Sequence, residues 1–183
     1  VIAALWMIPA VLLAWGVLTY NRLVRLRNQV RAGWSDIDVQ LSRRHDLVPL
    51  LVEAVRGYAG HERALLESVT TLRAQAVATD RPARLAELEG ALEQALGRLF
   101  ALREAYPELK ASDNFLRLQA DLVEVEDHLQ YARRFYNGAV RAYNDGIQRF
   151  PDLLLARPFG FTAAEFYRAA DQARAAPTVE TAR

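Results

Sequence analysis

The chain contains no cysteine, which excludes disulfides, thiolate nucleophiles and cysteine-based metal sites. Glycine (9) and proline (7) are sparse among 183 residues and stand at points of punctuation, as in a helical composition. Neither sign of charge is in excess, since 23 basic residues against 22 acidic ones leave a net of +1. A nucleic-acid binder would normally carry a basic face or stripe, so the balance argues against that class. Also missing are a Gly-rich phosphate loop, a Gly-x-Ser-x-Gly elbow and a His-Glu-x-x-His helix. No strand-like alternation of useful length occurs anywhere. What is abundant is apolar: 52% of the residues, with Leu, Ala, Arg and Glu prominent, all strong helix formers.

The stretch from Val1 to Tyr20 holds no charge and includes Trp6, Leu12, Leu13, Trp15 and Val17. As a helix it spans about 30 Å, the thickness of a bilayer's hydrocarbon core. Tyr20 stands where an interfacial aromatic belongs. A cleaved signal peptide would need a basic start, a shorter apolar stretch and a small-residue cleavage site, so the pattern predicts a permanent anchor over residues 1–21. Arg22, Arg25, Arg27 and Arg31 flank it directly. By the positive-inside rule this side faces the cytoplasm, with the N-terminus outside.

Breakers divide the rest of the chain into helices. The first runs to about Tyr58, interrupted at Pro49, which should kink it or break it after Val48. Its stripe is Leu26, Val30, Gly33, Ile37, Leu41, Val48, Leu51, Val55 and Tyr58. A second helix covers about 61–78, Thr79 to Pro82 are a loop with Pro82 near a helix start, and a third over about 83–105 carries Leu85, Leu88, Leu92, Leu96, Leu99 and Leu102. Tyr106 and Pro107 break that one, and Ser112 or Asp113 caps the next. The fourth helix has apolar residues at Phe115, Leu118, Leu122, Val125, Leu129, Ala132, Tyr136, Ala139, Tyr143, Ile147 and Phe150, a heptad seam about 55 Å long that Pro151 ends. Pro158 to Phe161 make an aromatic turn, Thr162 caps a short docking helix through Tyr167, and a frayed tail covers 174–183. The fold class is all-α: an anchor, then a bundle of three to four helices over 22–173 with antiparallel neighbours.

Candidate sites are few. His45, His61 and His128 lack the Glu-x-x-His spacing of bundle metal sites and read as surface or helix-end residues, so no metal and no cofactor is expected. Glu124, Glu126 and Asp127, with Asp36, Asp38 and Asp46, fit salt bridges to Arg43, Arg44, Arg133 and Arg134 better than acid–base catalysis. Arg44 lies on the apolar seam, which predicts a buried ion pair with an acid of the fourth helix. Tyr131, Phe135, Tyr136 and Tyr143 at helical spacing read as core.

Several segments resemble the LemA family of bacterial membrane proteins. They are Tyr20-Asn21-Arg22-Leu23-Val24, the run from Trp34 to Leu41, Arg43-Arg44, Asp46-Leu47-Val48-Pro49, Gly57-Tyr58-Ala59 and His61-Glu62. Ala105 to Ala111, Asn114-Phe115, Phe135-Tyr136-Asn137, Tyr143-Asn144, Phe150-Pro151 and Phe159-Gly160-Phe161 come after them in order. Asp127 and Asp152-Leu153 depart from the family's pattern. The resemblance implies an inner-membrane anchor with a cytoplasmic helical bundle, and it brings no reaction. The expectation is a non-enzymatic scaffold or adaptor, with partners being the bilayer through residues 1–21 and a membrane or cytoplasmic protein or further copies of itself. The alternative is a membrane-organising protein whose arginines touch anionic headgroups.

Overall fold

A computed structural model describes residues 2–167, with side chains from Met7 onward. Every element in that range is helical: α1 (Ile2–Arg56), α2 (Arg63–Val77), α3 (Pro82–Ala101), a 3-10 turn (Leu102–Glu104), α4 (Pro107–Lys110), α5 (Asp113–Gln148) and α6 (Leu153–Ala156). Two compact units result, one from residues up to 44 with 121–166, the other from 45–120 with Tyr167.

In the first unit α1 and α5 run antiparallel. Gly33 faces Tyr136 and Gly146 faces Leu23 and Leu26, so numbers rise along one helix as they fall along the other. The approach is close at both places. A Cβ at Gly33 would stand 3.1 Å from the Tyr136 Cα, and one at Gly146 would stand 3.0 Å from Leu26 Cδ1. Leu23, Tyr143, Ile147, Ala156 and Phe161 form the core at one end, with Leu26 and Val30 packed against it. The seam residues of α5 from Leu122 to Ile147 are buried, as the periodicity requires. Phe150 departs from the seam and is 74% exposed, because α5 stops at Gln148 and its periodicity ends there.

The chain then makes α6, which closes in a Schellman motif: Phe161 N–H donates to the Ala156 carbonyl (3.0 Å) and Gly160 N–H to the Arg157 carbonyl (3.2 Å). Gly160 takes the left-handed conformation this closure needs (φ 68°). Phe161 is thereby turned into the core. The docking helix expected from Thr162 to Tyr167 is not there; residues 161–167 are irregular. The reason is that Asn144 takes both backbone groups of Ala164, donating to its carbonyl (2.9 Å) and accepting from its N–H (2.8 Å). Tyr136 Oη donates to the Glu165 carbonyl at 2.8 Å. Side chains of α5 supply the partners that a helical turn would have supplied. The tail expected over 174–183 lies outside the described residues.

In the second unit α2 and α3 pack on each other, with Leu66, Val69, Leu85, Leu92 and Leu99 buried. Pro82 and Pro107 occupy the first positions of α3 and α4, where a missing N–H costs nothing. Ser112 Oγ accepts from Phe115 N–H at 3.4 Å. Tyr58 stands exposed beyond the end of α1, and Ala59 is buried in its stead.

Of the two outcomes expected at Pro49, a kink or a break, the break does not occur, and α1 runs on to Arg56. A proline withholds its N–H from the carbonyl four residues back, here that of His45. Arg73 of α2 fills the gap, its Nε donating to the His45 carbonyl at 2.7 Å. A side chain 28 positions away replaces the missing backbone donor.

Candidate functional site

Arg44 is carried into the first unit by its place on the seam and is 2% exposed as a side chain. It pairs there with Glu126 of α5, which also receives Arg133 at 3.3 Å. Two guanidinium groups thus share one carboxylate, and this offsets part of the desolvation of both. Arg43 and Glu124 meet at 3.5 Å in the open, and Glu124 lies 3.9 Å from His128 one turn on. Such exposed contacts contribute about 0–1 kcal/mol each.

His45 is buried, a correction to its reading as a surface residue. Its Nε2 lies 2.6 Å from Oε1 of Glu89, whose side chain is 0% exposed. His61 and His128 are not buried. Sequence reasoning passed over Glu89, although a signal was present: it falls four residues after Leu85 and three before Leu92, on the buried stripe of α3.

Tyr131 and Phe135 also correct an expectation. Tyr136 and Tyr143 are core, but Tyr131 is 70% exposed and Phe135 47%. With Val39 and Ala132 they line an open groove of about 480 Å³ between α1 and α5, whose lining also includes Asp36, Gln40, Asp127 and His128. The groove combines apolar faces with two carboxylates, so it suits a segment both apolar and cationic.

The juxtamembrane arginines take different places. Arg22 bridges to the buried Asp152 at 3.1 Å, and Arg27 lies 5.0 Å over the Phe161 ring. Arg25 and Arg31 are exposed. Burial pushes the Tyr143 phenol above its ordinary value, against the opposing pull of Arg27 and Arg31. Burial, and then the nearby Glu165 carboxylate, raises Tyr136 as well.

From Met7 to Leu18 most of the large apolar side chains of α1 are uncovered, and α1 is the one helix among the described residues long and apolar enough to cross a membrane. Among those residues no three His, Asp or Glu converge as a metal site. These features define a membrane-associated, all-helical protein. The sequence profile of the LemA family matches residues 33–180, and the chain belongs to that family.

Magnetosome protein MamQ 1 of Paramagnetospirillum magneticum is 25% identical over 178 residues, covering 83% of this chain and 65% of its own length. Magnetosome protein MamQ of Magnetospirillum gryphiswaldense is 23% identical, covering 82% and 65%. Protein LemA of Metamycoplasma hominis is 26% identical over 132 residues, covering 71% and 60%. The chain therefore spans less than two thirds of the length of these relatives.

Proposed function

We propose that the protein is a non-enzymatic, membrane-anchored scaffold or adaptor whose first unit binds a partner protein through an apolar, cationic segment. The observation that carries this reading is the Tyr131–Phe135–Val39 groove with its two carboxylates. An exposed tyrosine and phenylalanine on adjoining turns have a cost in water that a partner relieves. Asp36 and Asp127 set the sign of the charge such a partner must bring. The arginine flank after residue 21 supports an orientation with the N-terminus outside and the bundle in the cytoplasm of a bacterial cell, at the inner membrane.

The test is a photo-reactive amino acid placed at Tyr131 in living cells. A discrete adduct that disappears when Asp36 and Asp127 are changed to lysine is the expected result. Its absence, or its survival in the lysine variant, overturns the reading. An adduct of twice the chain's mass identifies a second copy as the occupant. The absence of native cysteine allows the orientation to be read separately, from a single cysteine at Ser112 and one at Ala176 challenged with a membrane-impermeant thiol reagent.

A further inference from the structure

The anchor's charge-free run ends at Tyr20, and the antiparallel pairing brings the far end of α5 to the same level. Gly146 lies against Leu26 and Leu23, so the chain leaving α5 at Gln148 arrives beside Leu23 and continues toward Tyr20. Direct contacts fix it there. The Tyr20 ring meets Phe159 at 5.2 Å and Phe161 at 5.7 Å, and Arg22 holds Asp152 at 3.1 Å.

Residues of this segment on the inner side, Asp152, Ala156 and Phe161, are buried. Those on the outer side are apolar and open: Phe150 is 74% exposed, Leu154 56% and Phe159 57%. Arg149 and Arg157 stand exposed among them. A turn facing water has no use for such residues, whereas aromatic and aliphatic side chains interleaved with arginine are what a bilayer's headgroup region accepts. The occupant is named by position: the segment touches Tyr20, the last residue of the charge-free run, and Val17 and Leu18 just before it are exposed.

We propose that residues 149–160 form a second membrane contact, with Phe150, Leu154 and Phe159 seated among the lipids just below the headgroups and Arg149 and Arg157 against anionic lipid phosphates. This rests on α1 spanning the bilayer. The first unit then meets the membrane at two points, the anchor and this turn, which restrains its tilt relative to the bilayer.

The test uses the full chain in vesicles of phosphatidylcholine and phosphatidylglycerol, carrying one bimane-labelled cysteine at a time. Leu154→Cys reports the turn and Val11→Cys the anchor. Val123→Cys reports an exposed position about 37 Å back along α5 from Gln148. Lipids brominated near the headgroup end of the acyl chain should quench the Leu154 label several-fold more than the Val123 label, while the Val11 label answers best to deep bromines. Phe150→Ser with Phe159→Ser should remove that quenching with helix content unchanged. An unquenched Leu154 label beside a quenched Val11 label overturns the proposal and leaves the anchor standing. An unquenched Val11 label brings down the anchor reading, and the proposal with it.

Discussion

Arg44 and His45 are neighbours in the chain, yet each enters a different unit and meets a different kind of site. Consecutive residues of a helix point about 100° apart, so Arg44 reaches Glu126 of α5 while His45 reaches Glu89 of α3. Glu126 keeps some contact with water and holds two cations, whereas Glu89 is sealed. What differs is access to water. A charge site with a path to solvent tolerates the loss of one member better than a sealed one does.

The largest effect should come from His45→Ala, which takes a partner from a carboxylate that solvent cannot reach. We expect a loss of about 3 kcal/mol in urea unfolding of the full chain in detergent. His45→Leu combined with Glu89→Leu should recover most of it, since an apolar pair leaves neither buried polar group without its partner. If the double variant is as unstable as the single one, Glu89 is held chiefly by other groups.

Next is Arg73→Ala, at about 2 kcal/mol, because a charged donor to the His45 carbonyl is lost. Pro49→Ala restores the backbone N–H, so in its background the same substitution should cost far less. The double-mutant cycle measures that coupling directly.

Tyr136→Phe probes a sealed but neutral group of the first unit and should cost about 1 kcal/mol, the hydrogen bond to the Glu165 carbonyl. Its phenol is held above the ordinary value of 10.0, so the parent's advantage is full below pH 10 and is lost as pH rises through the raised value. Melting curves of the two proteins should converge in that alkaline range. Last comes Arg44→Leu, for which a melting temperature equal to or above the parent's is expected, with stability changed by about 1 kcal/mol or less. Adding Arg133→Leu should turn that small change into a clear loss, because Glu126 then loses both cations.

The helices with long regular stripes were legible from sequence. The seam of α5 is right from Phe115 to Ile147, and the position of Arg44 on the α1 stripe pointed to an acid of α5. Two features of the backbone depend on groups far along the chain. Pro49 is tolerated because of Arg73, and the segment after Thr162 is kept from helix by Asn144. Neither relation leaves a periodic trace. Aromatics near a seam are usually core, but Tyr131 and Phe135 are not. Tyr131 falls two residues after Leu129 and Phe135 one before Tyr136, which places both off the buried line.

The Pro49 arrangement also bears on synthesis. His45 leaves the ribosome 28 residues ahead of Arg73, which at ordinary elongation rates is about one to six seconds. Throughout that interval the His45 carbonyl lacks the Arg73 donor, which leaves the nascent helix a weak joint at that turn. The joint is made fast when the second helix is translated and folds back. The longest element of the protein is thus finished by a residue that did not yet exist when its own last turn was made.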